Sequence, residues 1–84
     1  MTNETILSQL LIEESRKILI FQIQALNESK TITRKLSVLN IGVAVSLGAT
    51  ATQINELKNA YIDAIQKIDI EITETQSALD SISY

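Results

Sequence analysis

The chain has 84 residues, 45% of them hydrophobic and 20% charged, a formal net charge of -3, and neither cysteine nor histidine. This composition leaves no disulfide and none of the common zinc sites, which need thiolate or imidazole ligands. It also lacks the basic stripe and the aromatic platforms that nucleic-acid binding requires, so no nucleic-acid partner is expected. A domain this small buries only about 60–65% of its unfolded surface, and with staples absent the route left to stability is packing against further chains.

The start, Met1-Thr2-Asn3-Glu4, has neither a basic region nor an apolar stretch behind it. No Sec-type signal peptide is expected; the protein should be cytoplasmic, particle-borne or exported by another route. A first helix is predicted over about residues 3–28. Thr2 or Asn3 can cap it, and Glu4 suits the positive end of its dipole. Leu7, Leu11, Glu14, Ile18, Phe21 and Ala25 form a stripe, widened by Ile6, Leu10, Leu19, Ile20 and Ile23. A stripe that wide calls for more than one neighbour. The polar run Asn27-Glu28-Ser29-Lys30-Thr31 holds cap formers between two apolar stretches, which predicts a turn at about 28–32.

The next segment, about residues 32–48, is apolar nearly all round. Small residues recur at intervals of four, as Gly42, Ser46 and Thr50 and again as Ala44, Gly48 and Thr52, a spacing that lets helix backbones approach closely. Lys30, Arg34 and Lys35 precede a window from Leu36 to Asn55 without a charge. Basic residues ahead of an uncharged window allow membrane contact through Leu36–Ala49. The polar residues inside the window, and the shortness of its apolar part, fit a buried or interfacial helix better than a spanning one.

The last segment, about residues 49–82, carries the long seam. Ala44, Leu47, Ala51, Ile54, Lys58, Tyr61, Ile65, Ile68, Ile72, Thr75, Leu79 and Ile82 follow one another at alternating steps of three and four. That is the rhythm of a helix packed along its length on another helix. Thr50-Ala51-Thr52-Gln53 matches the capping box, so a helix can begin there. Alternatively Gly48 is absorbed and two segments fuse, since a mid-helix glycine costs only about 1 kcal/mol. Lys58 either selects register within the seam or lies at its edge with Leu57 in its place. Ile68-Asp69-Ile70-Glu71-Ile72-Thr73 alternates with the period of a strand, which makes a small α+β fold the competing reading.

Residues 41–54, Ile-Gly-Val-Ala-Val-Ser-Leu-Gly-Ala-Thr-Ala-Thr-Gln-Ile, with heptads behind them, resemble the fusion peptide and first heptad repeat of paramyxovirus fusion proteins. The resemblance implies a membrane-inserting segment ahead of a trimerising helix. The chain departs from that family in having no basic residue immediately before Ile41 and in the helix over residues 1–29, which has no counterpart there.

No catalytic constellation is present. There is no histidine for proton transfer, no cysteine nucleophile, no Gly-x-Ser-x-Gly elbow and no phosphate loop. Asp69, Glu71, Glu74 and Asp80 are read as a solvated helix face, with no loop to organise them around a cation. The expected fold is therefore all-α. It is a helical hairpin or three-helix chain with a long, coiled-coil-like C-terminal helix, assembling into an oligomer.

The expected function is that of a non-enzymatic, self-assembling structural subunit, without cofactor or metal, whose partner is itself. A membrane-active helical protein and a coiled-coil adaptor are the alternatives. The assembly interface is predicted at Gly42, Ala44, Ser46, Gly48 and Thr50, where backbones approach, and at Ile54, Tyr61, Ile65, Ile68, Ile72 and Leu79 along the seam.

Overall fold

In the computed structural model, which describes residues 2–82, one helix runs without a break from Asn3 to Ser46 (α1). Thr2 caps it, its hydroxyl accepting from the Thr5 amide at 3.2 Å. The turn predicted at 28–32 is absent. Neither proline nor glycine interrupts this stretch, and its polar side chains hydrogen-bond back into the helix instead of capping a new one. Asn27 Nδ2 donates to the Ile23 carbonyl at 3.1 Å, Thr31 Oγ1 to Asn27 at 3.1 Å and Thr33 Oγ1 to Ser29 at 2.7 Å. Hydroxyls that satisfy themselves four residues back compete only weakly with the helix, and packing on a neighbour then carries it through.

The chain turns instead at Gly48. The Gly48 amide donates to the Val45 carbonyl at 3.1 Å and the Ala49 amide to Ala44 at 3.0 Å. This pair of bonds closes a helix in a Schellman motif, with glycine at the left-handed position. Gly48 takes φ +81°, the one positive φ among the described residues. Two residues on, Thr50 opens the second helix, Ala51–Ser81 (α2). The Gln53 amide donates to Thr50 Oγ1 at 3.1 Å, and the Thr50 amide to Gln53 Oε1 at 2.9 Å, which completes the capping box. The two helices are therefore separate, and the fused alternative is not adopted.

The chain is all-helical, and α1 and α2 pack antiparallel as a hairpin. Ile68–Thr73 is helical despite its alternating pattern, because Ile65, Ile68 and Ile72 all fall on the side facing α1, while Ile70 faces out. The result is a rod of 69 × 15 × 12 Å with a radius of gyration of 19.8 Å. A compact domain of this length has a radius near 12 Å. Two helices side by side enclose little. Among the described residues only Leu79 and Thr75 are buried, at 9% and 7% exposure; Ala44, Ile54, Tyr61, Ile65, Ile68, Ile72 and Ile82 of the predicted seam are half-buried, whereas Leu47, Ala51 and Lys58 are exposed and lie outside it. A half-buried aliphatic side chain contributes roughly half of the 1.5–3 kcal/mol that full burial supplies.

Candidate assembly surface

Helix α1 turns its more polar face inward. The residues toward α2 are Gln9, Ile12, Arg16, Leu19, Ile23, Leu26, Lys30, Thr33, Ser37, Ile41 and Ala44, spaced mostly by alternating threes and fours. Arg16 and Lys30 on this side, and Asn40 at its edge, reach partners on α2. The Arg16 guanidinium donates to the carbonyls of Leu79 at 3.3 Å and Ile82 at 3.0 Å. It thereby covers the open carbonyl end of α2 with a positive charge, where the helix dipole favours one. Lys30 Nζ pairs with the Asp69 carboxylate, and Asn40 Nδ2 donates to the Tyr61 hydroxyl. Among the described residues no buried side-chain nitrogen or oxygen lacks a partner.

The opposite side of α1 is more apolar and faces outward. Leu7, Leu11, Ile18, Phe21, Ile32, Leu39 and Val43 are all exposed there, Phe21 at 70%. They belong to a second series at steps of three and four, filled in by Glu14, Ala25, Glu28 and Lys35. Two shallow open grooves mark this side, one lined by Asn27, Glu28, Thr31 and Ile32, the other by Arg34, Lys35, Val38 and Leu39. Thirteen exposed large apolar residues lie on α1, against Ile62 and Ile70 alone on the described part of α2. Helix α1 is also the longer, 44 residues against 31. Arg16 meets the last turn of α2, so the first turns of α1 project beyond it and expose Ile6, Leu7, Leu10 and Leu11.

The predicted interface residues fall into two groups. Ile54, Tyr61, Ile65, Ile68, Ile72 and Leu79 line the inner side of α2, half-buried or buried against α1 of the same chain. Leu57 lies on that side as well, and Lys58 is exposed beside it, so Lys58 stands at the edge of the seam. Ala44 also faces inward. Gly42, Ser46, Gly48 and Thr50 are exposed and cluster about the turn. No other part of the chain lies within 4 Å of a Cβ built on Gly42 or Gly48, so neither glycine serves a close approach within the hairpin. Ser46 Oγ donates to the Gly42 carbonyl at 3.0 Å.

The sequence shows the stripe through Leu7, Leu11, Ile18 and Phe21, but the assembly interface is predicted at the small residues Gly42, Ala44, Ser46, Gly48 and Thr50 and along the seam of α2. The missing signal was the polar inner series of α1. Gln9, Arg16, Lys30, Thr33 and Ser37 do not look like packing residues in the sequence, although all five are half-buried and Arg16 and Lys30 find partners on α2. Once that series is assigned to the hairpin, the apolar stripe is left without a neighbour.

Among the described residues no helix is long and apolar enough to cross a membrane. Among the described residues no three carboxylates converge as a metal site would require. No protein-family model, curated protein or solved structure matches the chain.

Proposed function

We propose that this protein is a non-enzymatic structural subunit that assembles with copies of itself into a filament, tube, ribbon or particle. The observation that carries the reading is the stripe of exposed apolar residues on the side of α1 turned away from α2, Leu7, Leu11, Ile18, Phe21, Ile32, Leu39 and Val43. A helix facing only water on that side would carry polar residues there. Apolar surface on this scale, recurring along a rod, is the mark of an interface. The heptad-like spacing of both series suits coiled-coil packing on each side of α1.

Analytical ultracentrifugation over a hundredfold range of concentration, with negative-stain microscopy of the same samples, tests the reading. Mass rising with concentration and regular particles or filaments are expected. A monomer at every concentration refutes it.

A membrane-active role is the second reading, and the hairpin tip favours it. Val38 and Leu47 are 77% and 82% exposed, in an uncharged stretch preceded by Arg34 and Lys35. Basic residues beside exposed apolar ones suit an interfacial segment. Flotation with anionic liposomes separates the readings. Binding by monomer and assembled protein alike, abolished by Gly48→Glu, favours the membrane.

A further inference from the structure

We infer that the outward side of α1 is covered by α1 of a second copy, running antiparallel about a two-fold axis at Ala25. The inference rests on the self-assembly reading and specifies its geometry. Three observations converge on it.

The first is area. The rod exposes 6280 Å². Size scaling gives about 5,000 Å² for a compact monomer of its 9.3 kDa mass. The surplus exceeds the roughly 800 Å² that one partner contributes to a stable interface.

The second is the symmetry of the exposed series about Ala25. Seven residues before it stands Ile18 and seven after it Ile32. Fourteen before stands Leu11 and fourteen after Leu39. All four are exposed. An isologous pairing of antiparallel helices sets Ile18 against Ile32 and Leu11 against Leu39 of the second copy, each twice. The small side chain of Ala25 sits at the axis, where the two helices meet most closely.

The third is charge. Glu14, Glu28 and Lys35 are the charged members of the series. In the antiparallel arrangement Glu14 of each copy faces Leu36 of the other, one position from Lys35, and Glu28 faces the neutral Gln22, one position from Phe21. In a parallel arrangement each of the three meets its own like charge, which opposes pairing. Glu14 also pairs with Lys17 on its own helix at 3.2 Å, with both side chains largely exposed. That contact leaves the carboxylate open to a second cation. Three charges along the stripe also set it apart from a face made for lipid.

The chain has no cysteine, so single-cysteine variants report the geometry directly. Ala25→Cys should cross-link to a covalent dimer on mild oxidation, because a residue on the axis faces itself. Leu11→Cys alone should stay uncross-linked, since its own counterpart is 28 residues, about 42 Å, away along the pair. A mixture of Leu11→Cys and Leu39→Cys should give the mixed dimer. Glu14→Lys and Lys35→Glu should each weaken association about tenfold, and the double variant should restore it.

Self-cross-linking of Leu11→Cys overturns the antiparallel assignment in favour of a parallel one. Assembly that persists while neither Ala25→Cys nor the mixture cross-links overturns the inference and leaves the structural function standing. A monomer at all concentrations overturns both. Flotation of the Ala25→Cys variant with phosphatidylglycerol vesicles that shield its single thiol from a thiol reagent assigns the face to lipid and also overturns the inference.

Discussion

Helices α1 and α2 share one seam but differ in what lies behind it. Helix α2 is amphipathic in the ordinary sense. Its apolar residues Ile54, Leu57, Tyr61, Ile65, Ile68, Ile72 and Leu79 point at α1, and its outer side is largely polar, broken by Ile62 and Ile70. Helix α1 contributes a mixed, hydrogen-bonded face to the same seam and keeps Leu7, Leu11, Ile18, Phe21, Ile32 and Leu39 for the outside. A hairpin satisfies α2 and leaves α1 half used. If the protein assembles as proposed, the stability of the fold and the capacity to associate are carried by different residues, and substitutions should separate them.

The largest effect is expected at Ile65. Ile65→Asp places a carboxylate in the half-buried seam, losing apolar contact and desolvating a charge, at about 3 kcal/mol or more. For a rod with so little core this should abolish the helical circular dichroism at 25 °C. Retention of full helicity would show that the seam contributes little to folding.

The matching change on the other face is Phe21→Ser. It should keep the helical spectrum while lowering the sedimenting mass. The parent's thermal midpoint should rise with protein concentration, because association stabilises the folded state, and the variant's should not. Equal loss of helicity in Phe21→Ser and Ile65→Asp would dissolve the distinction between the faces.

The two glycines sharpen the comparison at about 1 kcal/mol. Gly48→Ala should destabilise by roughly that amount in urea titration, because alanine is strained at positive φ although there is room for its methyl group. Gly42→Ala should stabilise the dilute chain by about 0.5–1 kcal/mol, since it lies inside α1 with open space around it. If Gly42→Ala also weakens assembly, Gly42 lies at a close approach between copies.

Removing the cap with Thr50→Ala should cost about 1 kcal/mol, read in the same titration. The smallest effect belongs to Lys67→Ala. Its pair with Asp63 spans 3.0 Å between largely exposed side chains, and the expected change is below about 0.5 kcal/mol.

Much of the architecture was legible in the chain itself. The Thr50–Gln53 capping box and the seam from Ile54 to Leu79 are local or periodic signals and are realised, whereas the break at Gly48 was one of two alternatives that the structure decided. Period and capping depend on neighbours within a few residues, so a linear reading reaches them. The break at 28–32 was misread for the same reason. Asn27, Ser29 and Thr31 are cap formers in isolation, and only the continuous stack of packing partners on α2 decides that they stay helical. Lys58 and Leu57 differ by one position, and the choice between them depends on the angle at which α2 meets α1.

The sequence alone thus determined that the chain is helical and offered Thr50 as a helix start, while leaving open whether Gly48 breaks the helix. Tertiary structure decided which side of α1 was taken. Arg16, Lys30 and Asn40 read as solvent-facing residues until the hairpin brings them to the end of α2, to Asp69 and to Tyr61. Their partners lie 63, 39 and 21 residues away along the chain, beyond the reach of any local pattern. Once those distant groups are paired, the inner seam holds Arg16 and Lys30 of α1, and the stripe through Leu7, Leu11, Ile18 and Phe21 is left exposed.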